Sequence, residues 1–476
     1  MEGLKGYFFS LCLLCAFLLV GKLLRSRVKL LQRLFLPSSI IAGFIALGFG
    51  PYGLDLIPAW VVKQWSQVPG VLINVVFAAL FLGVALPRPR KLWETGGSQL
   101  CFGVVMGMGQ YLVALLTTVL LLGPLFHTPA IFACIVEIGF SGGHGTAAGM
   151  TPVFEKLGFT AGGPLAQMSA TVGIIGAVVI GIALINIAIR RGYCACLDEK
   201  EGIPAYKKTG LIPEPKRFSI ATATVATEAI EPLTFHFAII AIAVLAGWVM
   251  LSGVRGLHPL LSGFPLFPLA MMGGLLVQGL SAPLRVTRYF DRATFDRIQG
   301  FSLDVLVLSA IAAIRLDLFV ANVWPFLIIM ATGIVWATFA MRFLAPRMFP
   351  RFWFERGITE FGMQTGVTAI GLLLLRVVDP MYRTEAATAF GFKQMVYEPF
   401  LGGGLITAMA PFLIIGLGKW GSIGAVAGVM AIFVVIAVLS KWVTLRPKLK
   451  FQDARFRLQA AQSEAAAVAR VRPSAA

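Results

Sequence analysis

The hexapeptide Ser141-Gly142-Gly143-His144-Gly145-Thr146 lies inside an otherwise apolar stretch of the chain. Glycines loosen a helix and leave backbone amides in need of partners, and unpaired amides are not tolerated against lipid. The hexapeptide is therefore expected to line a protein-enclosed or water-filled cavity, where a binding site inside a membrane protein would lie.

Composition places the chain among all-α polytopic membrane proteins. It has 476 residues, of which 58% are hydrophobic and 13% charged, and a mean hydropathy of +0.85. A soluble core of this size would need many more surface charges. The net charge of +18 falls mostly in alternate loops, which indicates a protein oriented in a lipid bilayer and does not require nucleic acid as a partner.

Apolar segments long enough to cross about 30 Å of hydrocarbon recur along the chain. The first is interpreted as a retained span, because basic residues follow it in place of a small-residue cleavage site. Eleven spans are predicted, at about 7–24, 35–53, 71–87, 99–123, 165–189, 235–253, 262–280, 300–316, 323–343, 396–417 and 422–440.

Basic loops set the predicted orientation. Placing the loops richest in Lys and Arg in the cytoplasm puts the N-terminus outside and the linker 191–234 inside. The basic tail 441–476 is then cytoplasmic. The same assignment requires the segment around the hexapeptide, about 129–163, to enter and leave on one face as a re-entrant hairpin.

The two halves of the sequence resemble each other. Residues 135–143 align with 358–366 at a constant offset of 223, matching Ile, Glu, Gly and Gly. Each unit holds five spans, and an odd number requires opposite orientations in the membrane, as in the inverted repeats of secondary transporters. The predicted units are 1–190, 235–417 with a second hairpin at about 357–395, and an added span at 418–440.

The first hairpin carries a resemblance to a known family. The hexapeptide, Glu155-Lys156-Leu157-Gly158-Phe159-Thr160 and Ala170-Thr171-Val172-Gly173 resemble the signature of bacterial sodium/glutamate symporters. The second hairpin departs from the family pattern at Ile358, Glu360, Gln364 and Val367. The resemblance spans about 1–417. It implies a homodimeric carrier in the bacterial inner membrane that takes up glutamate or a related small anion with sodium and needs no other cofactor.

The hairpin tips are the predicted substrate and ion site. Half-helix N-termini favour an anionic carboxylate, and unwound carbonyls and hydroxyl oxygens can coordinate sodium. Close helix packing through glycine is the alternative interpretation. The candidate residues are Ser141, Gly142, Gly143, His144, Gly145 and Thr146 in the first hairpin, and Gly362, Gln364, Thr365, Gly366 and Thr368 in the second.

Glu137 and Glu360 occupy equivalent positions in the two repeats. An intramembrane carboxylate costs a few kcal/mol and needs a cation, a proton or a partner. Both are therefore candidate ligands for coupling by Na⁺ or H⁺, and structural neutralisation by a hydrogen bond or an Arg is the alternative. Arg315 is a candidate bidentate donor to the substrate carboxylate, and the alternative is that its side chain extends to the membrane surface.

The sequence favours a secondary transporter over other classes of membrane protein. Because the chain has no ATP-binding loop ending in Lys-Ser/Thr, an ion gradient or exchange is the expected driving force. Proton-coupled transport of another organic anion is the first alternative, and a channel or a transport-inactive membrane sensor is the second. An enzyme is not expected, because no zinc-protease or Ser-His-Asp pattern involves the 4 histidines.

Overall fold

The computed structural model describes residues 4–33, 36–84, 89–196, 211–212, 214, 219–379, 383–447 and 449–450. This part of the chain is helical and contains no β-strand. Seven of its helices are long and apolar enough to cross a membrane, which confirms an all-α polytopic membrane protein. The predicted linker residues 197–210, 213 and 215–218 and the tail from 451 onward lie outside the described residues.

The first half of the chain contains nine α-helices among the described residues, and a 3-10 helix at Ala130–Ala133 leads into the seventh. A π-turn at Thr118–Leu122 continues the sixth as far as Phe126. They are α1 (Leu4–Arg27), α2 (Lys29–Arg33), α3 (Ser38–Phe49), α4 (Ala59–Trp65), α5 (Val68–Ala78), α6 (Pro89–Thr117), α7 (Cys134–Phe140), α8 (Gly143–Lys156) and α9 (Gly162–Arg191).

The second half begins where Glu231 caps a helix by accepting a hydrogen bond from the amide of Thr234. A π-turn at Ala340–Leu344 again continues one helix, here as far as Met348. The helices are α10 (Pro232–Leu257), α11 (Phe267–Ser281), α12 (Arg292–Ala312), α13 (Leu316–Ala321), α14 (Val323–Phe339), α15 (Trp353–Val378), α16 (Ala386–Tyr397) and α17 (Leu405–Leu439).

The helices pack as two groups. The first helix group comprises α1, α3, α4, α5, α10, α11 and α12, and the second comprises α6 to α9 with α14 to α17. They meet where α8 contacts α5 and α12. Glycines keep this contact close: a Cβ atom on Gly145 would lie 3.0 Å from Cδ1 of Ile73, and one on Gly149 would lie 3.0 Å from the ring of Phe267.

Matching irregularities occur in both halves at nearly the offset found in the sequence. The two π-turns begin at Thr118 and Ala340. The backbone leaves helical geometry around Gly143 in the first half and at Gly366 and Val367 in the second. These positions differ by 222 to 224 residues, so the similarity extends from residue identity to helix geometry.

Two predicted boundaries differ from the structure. The segment predicted as the second hairpin, 357–395, contains most of α15 and α16 as separate helices. The tenth predicted span, 396–417, begins at the end of α16, and most of it lies with the eleventh in one helical run, α17. This run is interrupted at Gly418 with φ of 69°. Glycine tolerates this left-handed conformation, which explains why the chain turns there without a long loop.

Candidate functional site

The hexapeptide forms the turn of a helical hairpin. Helix α7 ends at Phe140 and α8 begins at Gly143, whose φ is +71°. The outer ends of the hairpin meet, because the rings of Phe132 and Phe159 have centroids 5.9 Å apart. The chain therefore reverses at the hexapeptide.

The second break divides α15 into two arms. Gly366 has φ of −146° and ψ of 33°. Val367 has φ of +66° and ψ of 168°, a region almost restricted to glycine that costs other residues about 1–3 kcal/mol. A Cβ atom on Gly362 would lie 2.8 Å from Cα of Gly371. The two arms consequently pack side by side, and the chain reverses here too.

The two breaks touch each other. A Cβ atom on Gly143 would collide with Cγ1 of Val367, and one on Gly173 in α9 would collide with the carbonyl oxygen of Thr365. The structure thus brings the tips together in the second helix group. We call the contact between the first tip, around Gly143, and the second tip, at Gly366 and Val367, the junction. Most of the candidate residues predicted from sequence lie within it.

Glu137 is fully buried one turn before the first tip. Its Oε2 accepts a 2.7 Å hydrogen bond from the hydroxyl of Tyr111. Its Oε1 accepts bonds from the amide of Gly402 at 2.9 Å and the hydroxyl of Thr407 at 3.0 Å. Three donors hold this carboxylate, and no cationic side chain among the described residues forms an ion pair with it.

Glu360 has a different environment. Nζ of Lys393 lies 2.7 Å from its Oε1, and both side chains are 0% exposed. The amide of Gln99 donates to Oε2 at 3.0 Å, and that of Gln364 donates to Oε1 at 3.1 Å. The carboxylate therefore has a fixed counter-charge supplied by α16.

The remaining polar residues of the first tip are buried with few partners. Nε2 of His144 lies 2.9 Å from the hydroxyl of Thr171. Oγ of Ser141 lies 3.9 Å from the sulfur of Met363 in α15. Oγ1 of Thr146 is buried and has no hydrogen-bond partner in the part of the chain that the structure describes, so it remains available to a ligand.

The polar residues of the second tip have partners in different parts of the fold. The amide of Gln364 donates to the hydroxyl of Tyr397 at 2.8 Å, and the hydroxyl of Thr365 donates to its own helix at Phe361. Thr368 instead donates to Glu398 at 2.8 Å. Thr368 thus belongs to a polar chain that leads along α16.

Arg315 is not part of the junction. Its side chain is 56% exposed and forms a bidentate pair with Asp317 at 2.6 and 3.0 Å. The guanidinium lowers the pKa of the Asp317 carboxyl through these hydrogen bonds. Arg315 instead lines a cavity of about 940 Å³ between the helix groups, together with Lys63, Thr151, Glu155, Thr160 and Gln167.

Five important partners were not identified from sequence. Tyr111, Gly402 and Thr407 contact Glu137, and Gln99 and Lys393 contact Glu360. Lys393 is an isolated cation within α16, and Gly402 opens a run of three glycines. Both features are visible in the sequence, but the sequence does not indicate which carboxylate each of them contacts.

The described residues include no group of three or more His, Cys, Asp or Glu side chains placed to hold a metal ion. The oxygens at the junction are mainly those of hydroxyl groups, side-chain amides and backbone carbonyls around two carboxylates. Such hard oxygen donors suit an alkali cation better than a transition metal.

Comparison with known proteins gives one family match. The family model described as sodium/glutamate symporter matches residues 6–351. The match includes the first hairpin and ends just before α15, so the second break, Glu360 and Lys393 lie beyond it. No curated protein matches the chain. Since the match covers most of its length, the chain belongs to the sodium/glutamate symporter family of membrane transporters.

Proposed function

We propose that the protein is an ion-coupled secondary carrier that takes up glutamate or a related small carboxylate together with sodium. The carrying observation is the contact between the breaks at Gly143 and Val367 beside the buried carboxylate of Glu137. Unwound backbone, a helix N-terminus and a carboxylate then lie together, as a site for an anion and a cation requires. Family membership supports the same substrate and ion.

The proposed substrate position is the N-terminal end of α8. Its first amides belong to Gly143, His144 and Gly145 and carry the positive end of the helix dipole. The free hydroxyl oxygen of Thr146 adds a polar group in the first turns of the same helix. Gly142 and Gly366 instead serve packing, because Cβ atoms there would collide with Thr146 and Ala177. Ser141, Thr365 and Gln364 are proposed to contribute polar groups.

The coupling ion is proposed to bind on the Glu137 side of the junction. Oxygens of Ser141 and Thr146 lie near this carboxylate and the Gly402–Gly403 backbone: Cβ atoms on those glycines would lie 3.3 and 2.5 Å from the two hydroxyls. A carboxylate and hydroxyl oxygens form a suitable set for sodium. Proton binding at Glu137 is the alternative, because a protonated carboxyl needs no metal.

The proposed architecture is an inverted repeat of two five-span units with re-entrant hairpins. The matching breaks and π-turns at one offset support it. We further propose an elevator motion, in which the second helix group carries the junction past the first. The glycine contacts of α8, at Gly145 and Gly149, support sliding because they leave few side chains interlocked.

The cavity containing Arg315 and Lys63 is proposed as the entrance for substrate. Lys63 and Arg315 would attract an anion, while Glu155 and the Asp317 partner of Arg315 balance part of their charge. Arg315 would therefore act in the approach of substrate and not in the bound state. The protein is proposed to lie in the bacterial inner membrane as a homodimer, with its N-terminus outside and its C-terminus in the cytoplasm.

A proton-coupled carrier of another organic anion is the second candidate. The observation in its favour is the ion pair between Lys393 and Glu360. Because Lys393 neutralises Glu360, only Glu137 of the two carboxylates is left to bind sodium. A channel or a transport-inactive sensor is the candidate from another class. Counterflow separates the carrier from these, because only a carrier accelerates the entrance of labelled substrate when unlabelled substrate is inside.

A thermal-shift screen of the purified protein tests substrate and ion together. Ligands that bind the folded state raise its melting temperature. We expect glutamate or a related dicarboxylate to raise it more in NaCl than in choline chloride at equal ionic strength. A ligand effect that is equal in both salts but depends on pH would support the proton-coupled candidate instead.

A further inference from the structure

The ammonium group of Lys393 has the surroundings of a bound cation. Besides Oε1 of Glu360, it contacts Oε1 of Gln394 at 2.7 Å. The sulfur of Met363 lies at 3.6 Å and the ring centroid of Tyr397 at 3.5 Å, on the face that attracts cations. Two oxygens, one sulfur and one aromatic face thus enclose a single positive charge.

Glycines of α6 make the space for this charge. A Cβ atom on Gly103 would lie 2.6 Å from Cε of Lys393 and 2.8 Å from Oε1 of Glu360. One turn later, a Cβ atom on Gly107 would lie 2.5 Å from the hydroxyl oxygen of Tyr397. A larger side chain at Gly103 would displace the pair, and one at Gly107 would displace the Tyr397 ring that faces the ammonium.

More oxygen atoms are buried here than the lysine uses. Oε1 of Gln99 and Oε1 of Gln364 have no hydrogen-bond partner among the described residues, and both residues are 0% exposed. Their amide nitrogens both donate to Glu360. A buried carbonyl oxygen without a partner is unfavourable. Rotation of these two amides would turn their oxygens towards Glu360, where they would serve a cation with no hydrogens of its own.

A second carboxylate adds to the negative charge. The amide of Gln394 donates to Oε1 of Glu398 at 2.7 Å, while its carbonyl accepts from Lys393. Glu360 and Glu398 therefore flank the ammonium, one directly and one through Gln394. Removal of the ammonium would leave a buried, negatively charged, oxygen-rich space.

The geometry points to a cation site at Glu360 that the protein fills with its own Lys393. The tethered ammonium takes the place of an alkali cation, so sodium is coupled through the Glu137 side alone. Loss of the ammonium opens a site for Na⁺ or K⁺, with Glu360 and the amide oxygens of Gln99, Gln364 and Gln394 as ligands. This inference rests on the proposed function only for the role of sodium at Glu137.

The test is cation binding to purified, full-length protein, measured as melting temperature in NaCl, KCl or choline chloride at equal ionic strength. Lys393→Met should gain a stabilisation by Na⁺ or K⁺, on the order of 2 °C or more beyond the wild-type response. Lys393→Met combined with Glu360→Gln should lose that gain. Lys419→Met, which removes an exposed lysine from α17, should respond as the wild type does.

Equal cation responses in Lys393→Met and wild type would overturn the inference. If Lys393→Met does not fold, the double variant still tests the inference, because it removes both charges of the pair and leaves neither one unpaired. It should keep the wild-type response to sodium, and loss of that response would show that Glu360 binds sodium in the native protein. A sodium response seen only in Lys393→Met would refute sodium coupling at Glu137 and leave the tethered cation supported.

Discussion

The backbone amide of Gly402 donates a 2.9 Å hydrogen bond to Oε1 of Glu137. This bond joins the first helical hairpin to the loop that precedes α17, across 265 residues of sequence. Gly402 has φ of +70°, a conformation that suits glycine and directs its amide at the carboxylate. The first break is consequently closed by backbone from the second half of the chain.

Glu137→Gln should weaken sodium binding, so that the sodium concentration for half-maximal uptake rises at least about tenfold. The reason is that charge-assisted contacts contribute about 1.5–3 kcal/mol. The fold should persist, because the amide oxygen can face Gly402 and Thr407 while the hydroxyl of Tyr111 turns to accept. Initial uptake rates against sodium concentration measure the effect. Tyr111→Phe is the control, since it keeps the charge and should change sodium dependence by less. An unchanged dependence in Glu137→Gln would make this carboxylate structural.

Gly143→Ala should destabilise the protein more than Gly158→Ala. Both glycines have positive φ, but a Cβ atom on Gly158 meets nothing within 4 Å, whereas one on Gly143 meets Val367. The difference isolates the contact between the breaks and should be about 1–3 kcal/mol. Thermal unfolding measures it. Val367→Ala should rescue Gly143→Ala, and a failure of this rescue would separate the two tips.

Gly103→Ala should lower the melting temperature, although alanine usually favours a helix over glycine. The added methyl group would press on Lys393 and Glu360, and overpacking of this kind costs about 1–3 kcal/mol. Gly253→Ala in α10 is the matched control, since it meets nothing within 4 Å. The control should be neutral or slightly stabilising. Equal effects at the two sites would argue against a tightly built ion pair.

Residues 124–128 and 285–299 should label from opposite sides of the membrane. Single cysteines in a cysteine-free background should react with an impermeant thiol reagent from outside at 124–128. Those at 285–299 should react only after permeabilisation, because the basic loops are proposed to be cytoplasmic. Labelling in the reverse pattern would invert the proposed orientation.

The sequence predicted the parts of the site that carry a local signal. Glycine density located the break at Gly143, and the repeat offset led to its partner near Gly366. The pairing of Glu360 with Lys393 was not predictable in the same way, because it depends on how α16 packs against α6 and α15. The loop at Gly402 reaches Glu137 for a similar reason. Such contacts join positions far apart in sequence, and an apolar pattern of helices does not specify them.

Helix geometry set a further limit on prediction. Hydropathy located the apolar segments, but the π-turns at Thr118–Leu122 and Ala340–Leu344 leave the apolar pattern unbroken. The predicted spans at 35–53 and 262–280 also begin earlier than the helices found there, α3 and α11, because apolar residues precede both helices. Composition therefore gave the class of the protein, and tertiary packing determined the environment of each charge.

Counterflow in proteoliposomes tests the central claim that the two breaks form the substrate site of a carrier. Vesicles with unlabelled glutamate inside should accumulate labelled glutamate from outside faster than empty vesicles, in the presence of sodium. Gly143→Leu should abolish this exchange while the protein remains inserted and folded, because the larger side chain occupies the contact with Val367. Full exchange by Gly143→Leu would contradict the site, and absence of counterflow for every small carboxylate tested would contradict the carrier.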